Sequence, residues 1–202
     1  MCKQQMSNVI SVVWVVLILL ALSPLAAFLS FSSSRYYSKL PTIMLHPDDE
    51  LEAAYMKPIV GSRDEQTTKL FHLADRGGAS AVFNASMPEH SDTALSPSVT
   101  TIMMTMVLFF KLLFNRRRPY QTDPNMGHID TPTSYSPSFP SGHALQAYLL
   151  ARTKAKYHPE KADKILALGE RCAFLRVDGG VHYPSDLTFA RRLAYTIPHC
   201  LL

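Results

Sequence analysis

The chain has 202 residues, 47% of them hydrophobic and 18% charged, with 20 Lys plus Arg against 16 Asp plus Glu and a formal charge of +4 at pH 7. That length holds one domain with a real core and leaves no room for a large second one, while the hydrophobic content excludes a disordered polyelectrolyte. Lys3, Arg35 and Lys39 lie in the first 40 residues, which contain no acidic residue, so residues 41–202 are nearly neutral and a generally basic nucleic-acid-binding surface is excluded.

Residues 9–31 read VISVVWVVLILLALSPLAAFLSF, an uncharged run broken only by Ser and one Pro. It is long enough to cross a hydrocarbon core of about 30 Å. Lys3 ahead of it and Ala26 and Ala27 near its end also describe a signal peptide, but the run exceeds the roughly 7–15 residues of a signal core. The expectation is therefore a retained single-pass anchor in residues 1–40, ahead of a catalytic domain in residues 41–202. Lys3 and the α-amine balance Arg35 and Lys39, so charge does not set the side of the membrane.

His46 beside Asp48, Asp49 and Glu50 reads as an acidic helix start rather than a metal site. Ser62-Arg63-Asp64-Glu65 has the capping-box pattern and predicts a helix to about Arg76. Asn84-Ala85-Ser86 is a glycosylation sequon that matters only if the domain is exported. Residues 99–114 are apolar but include three Thr and Lys111, which predicts a buried helix of the globular domain and no second span. The Pro-, Ser-, Thr- and Asp-rich residues 119–140 predict a long functional loop.

Ser141 and Ser185 are candidate N-caps for helices to about Lys156 and Tyr195. Between them, Pro159 opens a helix whose apolar stripe is Ile165, Leu168, Cys172 and Leu175. No period-2 run appears, so the expected fold class is all-α. Cys172 and Cys200 either pair in an oxidising compartment or stand as buried thiols, the second being the simpler reading.

Three clusters carry chemistry. In Lys111-Leu-Leu-Phe-Asn-Arg-Arg-Arg118-Pro119, four cations end an apolar helix. Lys111 lies within the apolar run, where burying a cation is costly unless an anion meets it. Ser138-Phe139-Pro140-Ser141-Gly142-His143 is a loop-to-helix junction whose unpaired N–H groups and hydroxyl form an anion cradle, with His143 placed to donate a proton. In Arg176-Val-Asp-Gly-Gly-Val-His182-Tyr-Pro-Ser-Asp186, the carboxylate four residues after His182 can hold one ring nitrogen and leave the other nucleophilic.

The ordered set Lys-x6-Arg-Pro, Pro-Ser-Gly-His and Arg-x5-His-x3-Asp resembles the signature of the type 2 phosphatidic acid phosphatase superfamily, which also contains bacterial class A acid phosphatases and vanadium haloperoxidases. The matching positions are Lys111, Arg118, Pro119, Pro140, Ser141, Gly142, His143, Arg176, His182 and Asp186. One departure is Leu175, which stands where the family usually has Ser.

The resemblance implies a helical bundle of the acid phosphatase and haloperoxidase type and a metal-independent phosphatase without a cofactor. His182 would attack phosphorus, Asp186 would fix its tautomer and His143 would protonate the leaving oxygen. Lys111, Arg118, Ser141, Gly142 and Arg176 would hold the phosphoryl oxygens. The expected partners are a phosphate ester, lipid or soluble, and a membrane through residues 9–31, with no nucleic acid. Vanadate-dependent halide oxidation and an inactive phosphate- or headgroup-binding module are the competing functions.

Overall fold

The computed structural model describes residues 47–90 and 94–202. The anchor expected in residues 9–31 lies outside them. Seven α-helices follow in order, with no strand among the described residues: α1 Asp49–Gly61, α2 Glu65–Ser86, α3 Pro97–Phe114, α4 Pro119–Thr122, α5 Gly142–Tyr157, α6 Ala162–Asp178 and α7 Pro184–Thr196. The all-α class is therefore observed.

At the centre lies α5, which packs against α6, α7, α2 and α3. Its Ala144, Leu145, Ala147, Leu149, Leu150 and Ala151 are buried on every side of the helix. Such a helix has no solvent face to alternate with, which is why its sequence lacks a clean amphipathic stripe. The α5 and α6 backbones approach closely at Gly169, where a Cβ would stand 2.5 Å from that of Ala151. Small residues let the two helices meet backbone to backbone.

The caps differ from expectation in instructive ways. Asp64, not Ser62, opens α2, its carboxylate accepting from Thr67 N at 2.7 Å. Ser62 instead closes α1, its hydroxyl donating to Ile59 O at 2.9 Å. The predicted end of α2 at Arg76 falls beside a kink at Gly78 (φ 65°), after which the helix resumes to Ser86. Gln146 of α5 accepts from Ala79 N at 3.0 Å and so satisfies a donor that the kink frees. Pro159 begins a 3-10 turn, Pro159–Lys161, ahead of α6.

α7 is capped at Tyr183 rather than Ser185. Pro184 occupies the first helical turn, where its missing N–H costs nothing, and Glu52 of α1 accepts from Ser185 N at 2.9 Å. An anion at a helix start is thus supplied from the other end of the domain.

The reading of residues 99–114 as a buried helix needs correction. α3 forms, but only one stripe of it, Val99, Met103, Val107 and Phe114, is buried. The stretch Pro97–Thr122 is long and apolar enough to cross a membrane, and only 22% of its most apolar window is buried. Hydropathy along a sequence counts Met, Leu and Phe without revealing which faces the other helices cover. Cys172 is a buried free thiol, so the pairing with Cys200 is not formed; Cys200 is exposed and disulfide-bonded, so the reading of both as buried thiols holds for Cys172 alone.

Candidate active site

The end of α3 determines how the first cluster is used. Asn115 adopts the left-handed conformation (φ 44°) and closes the helix, so the three arginines that follow are not spaced as on a helix face. Arg117 is exposed, while Arg116 and Arg118 are buried and turn to different partners.

Arg118 spans the loop of residues 119–140 and the α6–α7 turn. Its Nε donates to Ser136 O at 2.9 Å, Nη2 to Thr133 O at 3.0 Å and Nη1 to Val181 O at 2.6 Å. Nη1 also lies 2.9 Å from His182 Nε2. Because a guanidinium only donates, Nε2 must be the accepting nitrogen, and the ring proton belongs on Nδ1. On that side His182 Nδ1 lies 3.1 Å from Asp186 Oδ2.

Asp186 is fully buried and heavily supported. Its Oδ2 also accepts from Ser138 Oγ at 2.5 Å and from Tyr183 N at 3.0 Å, while Oδ1 accepts from Arg116 Nη1 at 2.7 Å. Arg116, with no side-chain exposure, further pairs with Asp49 at 2.9 Å and Glu52 at 2.6 Å. Its guanidinium lies 3.9 Å from the centre of the Tyr183 ring. One arginine thereby ties α1 and α7 to the carboxylate that orients His182.

His143 and Arg176 approach from the other side, and both meet Asp75 of α2. Asp75 Oδ1 lies 3.0 Å from Arg176 Nη1 and 4.0 Å from His143 Nε2. Thr131 and Thr133, from the loop, donate to the same carboxylate. The Arg176 guanidinium stacks on Phe71 at 4.3 Å, and its buried Nε–H has no partner among the described residues.

The Pro140-Ser141 turn is fixed by aromatic packing of Phe139 with Phe114 and Phe189, at centroid distances of 4.8 and 4.6 Å. Ser141 is the N-cap of α5, its hydroxyl accepting from Ala144 N at 3.3 Å. The N–H groups of Gly142 and His143 sit in the first turn, where the helix offers them no partner. Lys111 Nζ donates to Pro137 O on the same loop.

Electrostatics follow from this crowding of cations. Burial, with Arg118, Lys111 and Arg176 nearby, holds the His182 imidazole well below its ordinary range. For His143, burial and then Arg176 push the value down to about 3, with Asp75 opposing the shift. Burial alone would raise the Asp75 carboxyl, but Thr131, Arg176 and Thr133 more than offset it and hold it below the usual carboxylate range.

Of the candidate site residues, His182 meets Asp186 and Arg118 directly, His143 and Arg176 meet at Asp75, and Lys111 and Ser141 join through Pro137 O and Asp186 O. Arg116, Ser138, Thr133 and Asp75 also belong to the cluster and have no role in the sequence reading: Ser138 lies within the loop-to-helix motif and Arg116 within the basic run, whereas Asp75 carries no local signal at all.

A family model described as the PAP2 superfamily matches residues 94–200, just over half of the chain, and spans all the clusters above except Asp75 and the α1 carboxylates. None of the curated proteins matches the chain.

Proposed function

The chain belongs to the PAP2 superfamily, and from that premise we propose that it is a phosphatase that hydrolyses phosphomonoesters through a phosphohistidine on His182. The observation that carries this reading is the pairing of His182 Nδ1 with Asp186 at 3.1 Å, which leaves Nε2 directed at a cation, Arg118, at 2.9 Å. A phosphoryl group bound by that cation would sit against the attacking nitrogen.

In the first step the Nε2 lone pair attacks phosphorus, the bond to the ester oxygen breaks, and His143 gives its proton to the leaving alcohol. The imidazole becomes cationic, and Asp186 stabilises that charge as it does in a catalytic triad. In the second step neutral His143 takes a proton from water, whose oxygen attacks phosphorus, and the P–N bond breaks to release phosphate. Arg118, Arg176 and Lys111 hold charge that spreads over the equatorial oxygens, and the Gly142 N–H and the Ser141 hydroxyl complete the cradle. The Arg176 Nε–H, buried without a partner among the described residues, is a further donor for an oxyanion, since leaving such a group unsatisfied costs about 1–3 kcal/mol.

Residues 9–31 would hold this domain at a bilayer, within reach of lipid phosphates as well as soluble esters. The test is rapid quench with an isotopically labelled phosphomonoester. Label stable to base and labile to acid, on the peptide containing His182 and lost in His182→Ala, is the expected result; turnover unchanged in His182→Ala would refute the mechanism.

A further inference from the structure

Asp75 lies outside the residues matched by the family model, on a helix with no motif of its own, yet its carboxylate is built into the centre of the cluster. Thr133 Oγ1 donates to Oδ1 at 2.9 Å and Thr131 Oγ1 to Oδ2 at 2.5 Å, so the carboxylate is fixed in orientation by both oxygens. Its helix is fixed as well, because the Gly78 kink one turn on is locked by Gln146, whose Oε1 would stand 2.7 Å from any Cβ placed there. Oδ1 then faces Arg176 Nη1 at 3.0 Å and His143 Nε2 at 4.0 Å.

We propose that Asp75 is a positioning residue for the proton-donating His143, its Oδ1 shared between Arg176 and that imidazole so that a proton is kept where the leaving oxygen will need it. This rests on the phosphatase reading above. The charged groups facing His143 are Arg176 of α6, Lys111 of α3, Arg118 after α3, and Asp75. Three of them are cations and disfavour an imidazolium. Asp75 is the one that favours it, and it is also the group that brings three cations closer to the charge of a phosphate dianion. At 4.0 Å the contact is an electrostatic one, too long for a hydrogen bond, so a modest closing movement on phosphate binding would convert it into one.

A buried Asp–Arg ion pair with no part in proton transfer would, on removal, harm every substrate alike. The leaving group separates the two roles. A p-nitrophenolate departs without a proton, whereas an alkoxide needs one. The experiment therefore measures kcat/KM for p-nitrophenyl phosphate and for glycerol phosphate, with full kcat–pH profiles, in the full-length wild type, in Asp75→Asn and in the isosteric Thr131→Val, which keeps the charge but frees one oxygen.

In Asp75→Asn the glycerol ester should lose at least about tenfold more than the aryl ester, and the alkaline limb of kcat for the glycerol ester should move to lower pH. Thr131→Val should shift the ratio the same way by less, and it decides the matter if Asp75→Asn does not fold. Equal losses on both esters with an unmoved limb would overturn the proposal and leave Asp75 a structural ion pair. A wild-type protein that hydrolyses neither ester would instead sink the phosphatase reading on which the proposal rests.

Discussion

Arg118 donates to His182 Nε2 at 2.9 Å while its other donors are taken by the carbonyls of Ser136, Thr133 and Val181 and by the Ser136 hydroxyl. The nitrogen proposed to attack phosphorus is thus held by the cation proposed to bind phosphate, and a substrate oxygen must take over that Nη1 donor before attack. Lysine has one ammonium and cannot reproduce a planar fork that meets three carbonyls and a ring nitrogen. Arg118→Lys should therefore lower kcat/KM by about 100-fold or more, measured on p-nitrophenyl phosphate. A loss under threefold would show that the fork is not needed.

The pH dependence follows from His143, which its surroundings push down to about 3 from an ordinary 6.5. A general acid must carry its proton, and a depressed pKa means the free site gives that proton up as pH rises. Between that value and the second pKa of a phosphate ester, about 6, loss of the imidazolium is offset by gain of the substrate dianion. Above it, kcat/KM for an alkyl phosphate should fall about tenfold per pH unit. A bound dianion raises the His143 pKa, so the kcat limb should lie at higher pH than the kcat/KM limb. A kcat/KM constant from pH 7 to 9 would exclude His143 as the proton donor.

Arg116 is placed for stability and for the orientation of Asp186. It is fully buried and meets Asp49, Glu52 and Asp186 at 2.9, 2.6 and 2.7 Å. Removing one partner from a buried ionic network leaves uncompensated charge and costs about 3–5 kcal/mol. Arg116→Leu should lower the free energy of urea unfolding by that order, and Arg117→Leu, at an exposed position, by less than about 0.5 kcal/mol. Equal effects of the two would contradict the burial pattern.

These three arginines also mark how far the sequence could be read. The motifs that bring Lys111, Arg118, Ser141, His143, Arg176, His182 and Asp186 together rest on spacing, and spacing is legible because each motif sits at a helix end whose cap or proline is local. The fate of Arg116 is not local. It depends on Asn115 turning left-handed (φ 44°) and on two carboxylates 64 and 67 positions away. Asp75 is further still from any signal, since its partners lie 56 and 101 residues on. The exposed side of α3 escaped for a related reason: periodicity identifies a helix, but only packing shows which of its apolar faces is covered.

Chelation should leave the activity intact. Arg118, Arg176 and Lys111 gather positive charge at the phosphoryl position, and Asp75 offsets one of the three. That leaves about what a dianion requires, and fixed cations stabilise the transition state without a metal ion. Turnover after dialysis against EDTA should match the untreated protein within about twofold, and vanadate, which mimics five-coordinate phosphorus, should inhibit competitively. Strong loss on chelation, restored by a divalent cation, would require a different mechanism.

Gly179 connects backbone packing to the phosphate-binding cation. A Cβ there would stand 2.2 Å from the Phe71 ring, and that ring is the platform on which Arg176 stacks at 4.3 Å. The ring cannot yield easily, because Phe71 is fully buried and a close-packed interior transmits the displacement to its neighbours. Gly179→Ala should therefore cost about 1–3 kcal/mol of stability by overpacking, and it should also raise KM or the vanadate inhibition constant, because Arg176 moves with its support. Gly61→Ala supplies the contrast, since a Cβ at Gly61 meets nothing within 4 Å, and it should leave both quantities within error. If Gly179→Ala lost stability while its vanadate affinity at a permissive temperature equalled that of the wild type, Arg176 would be held by Asp75 and Thr133 alone and Phe71 would have no part in placing it.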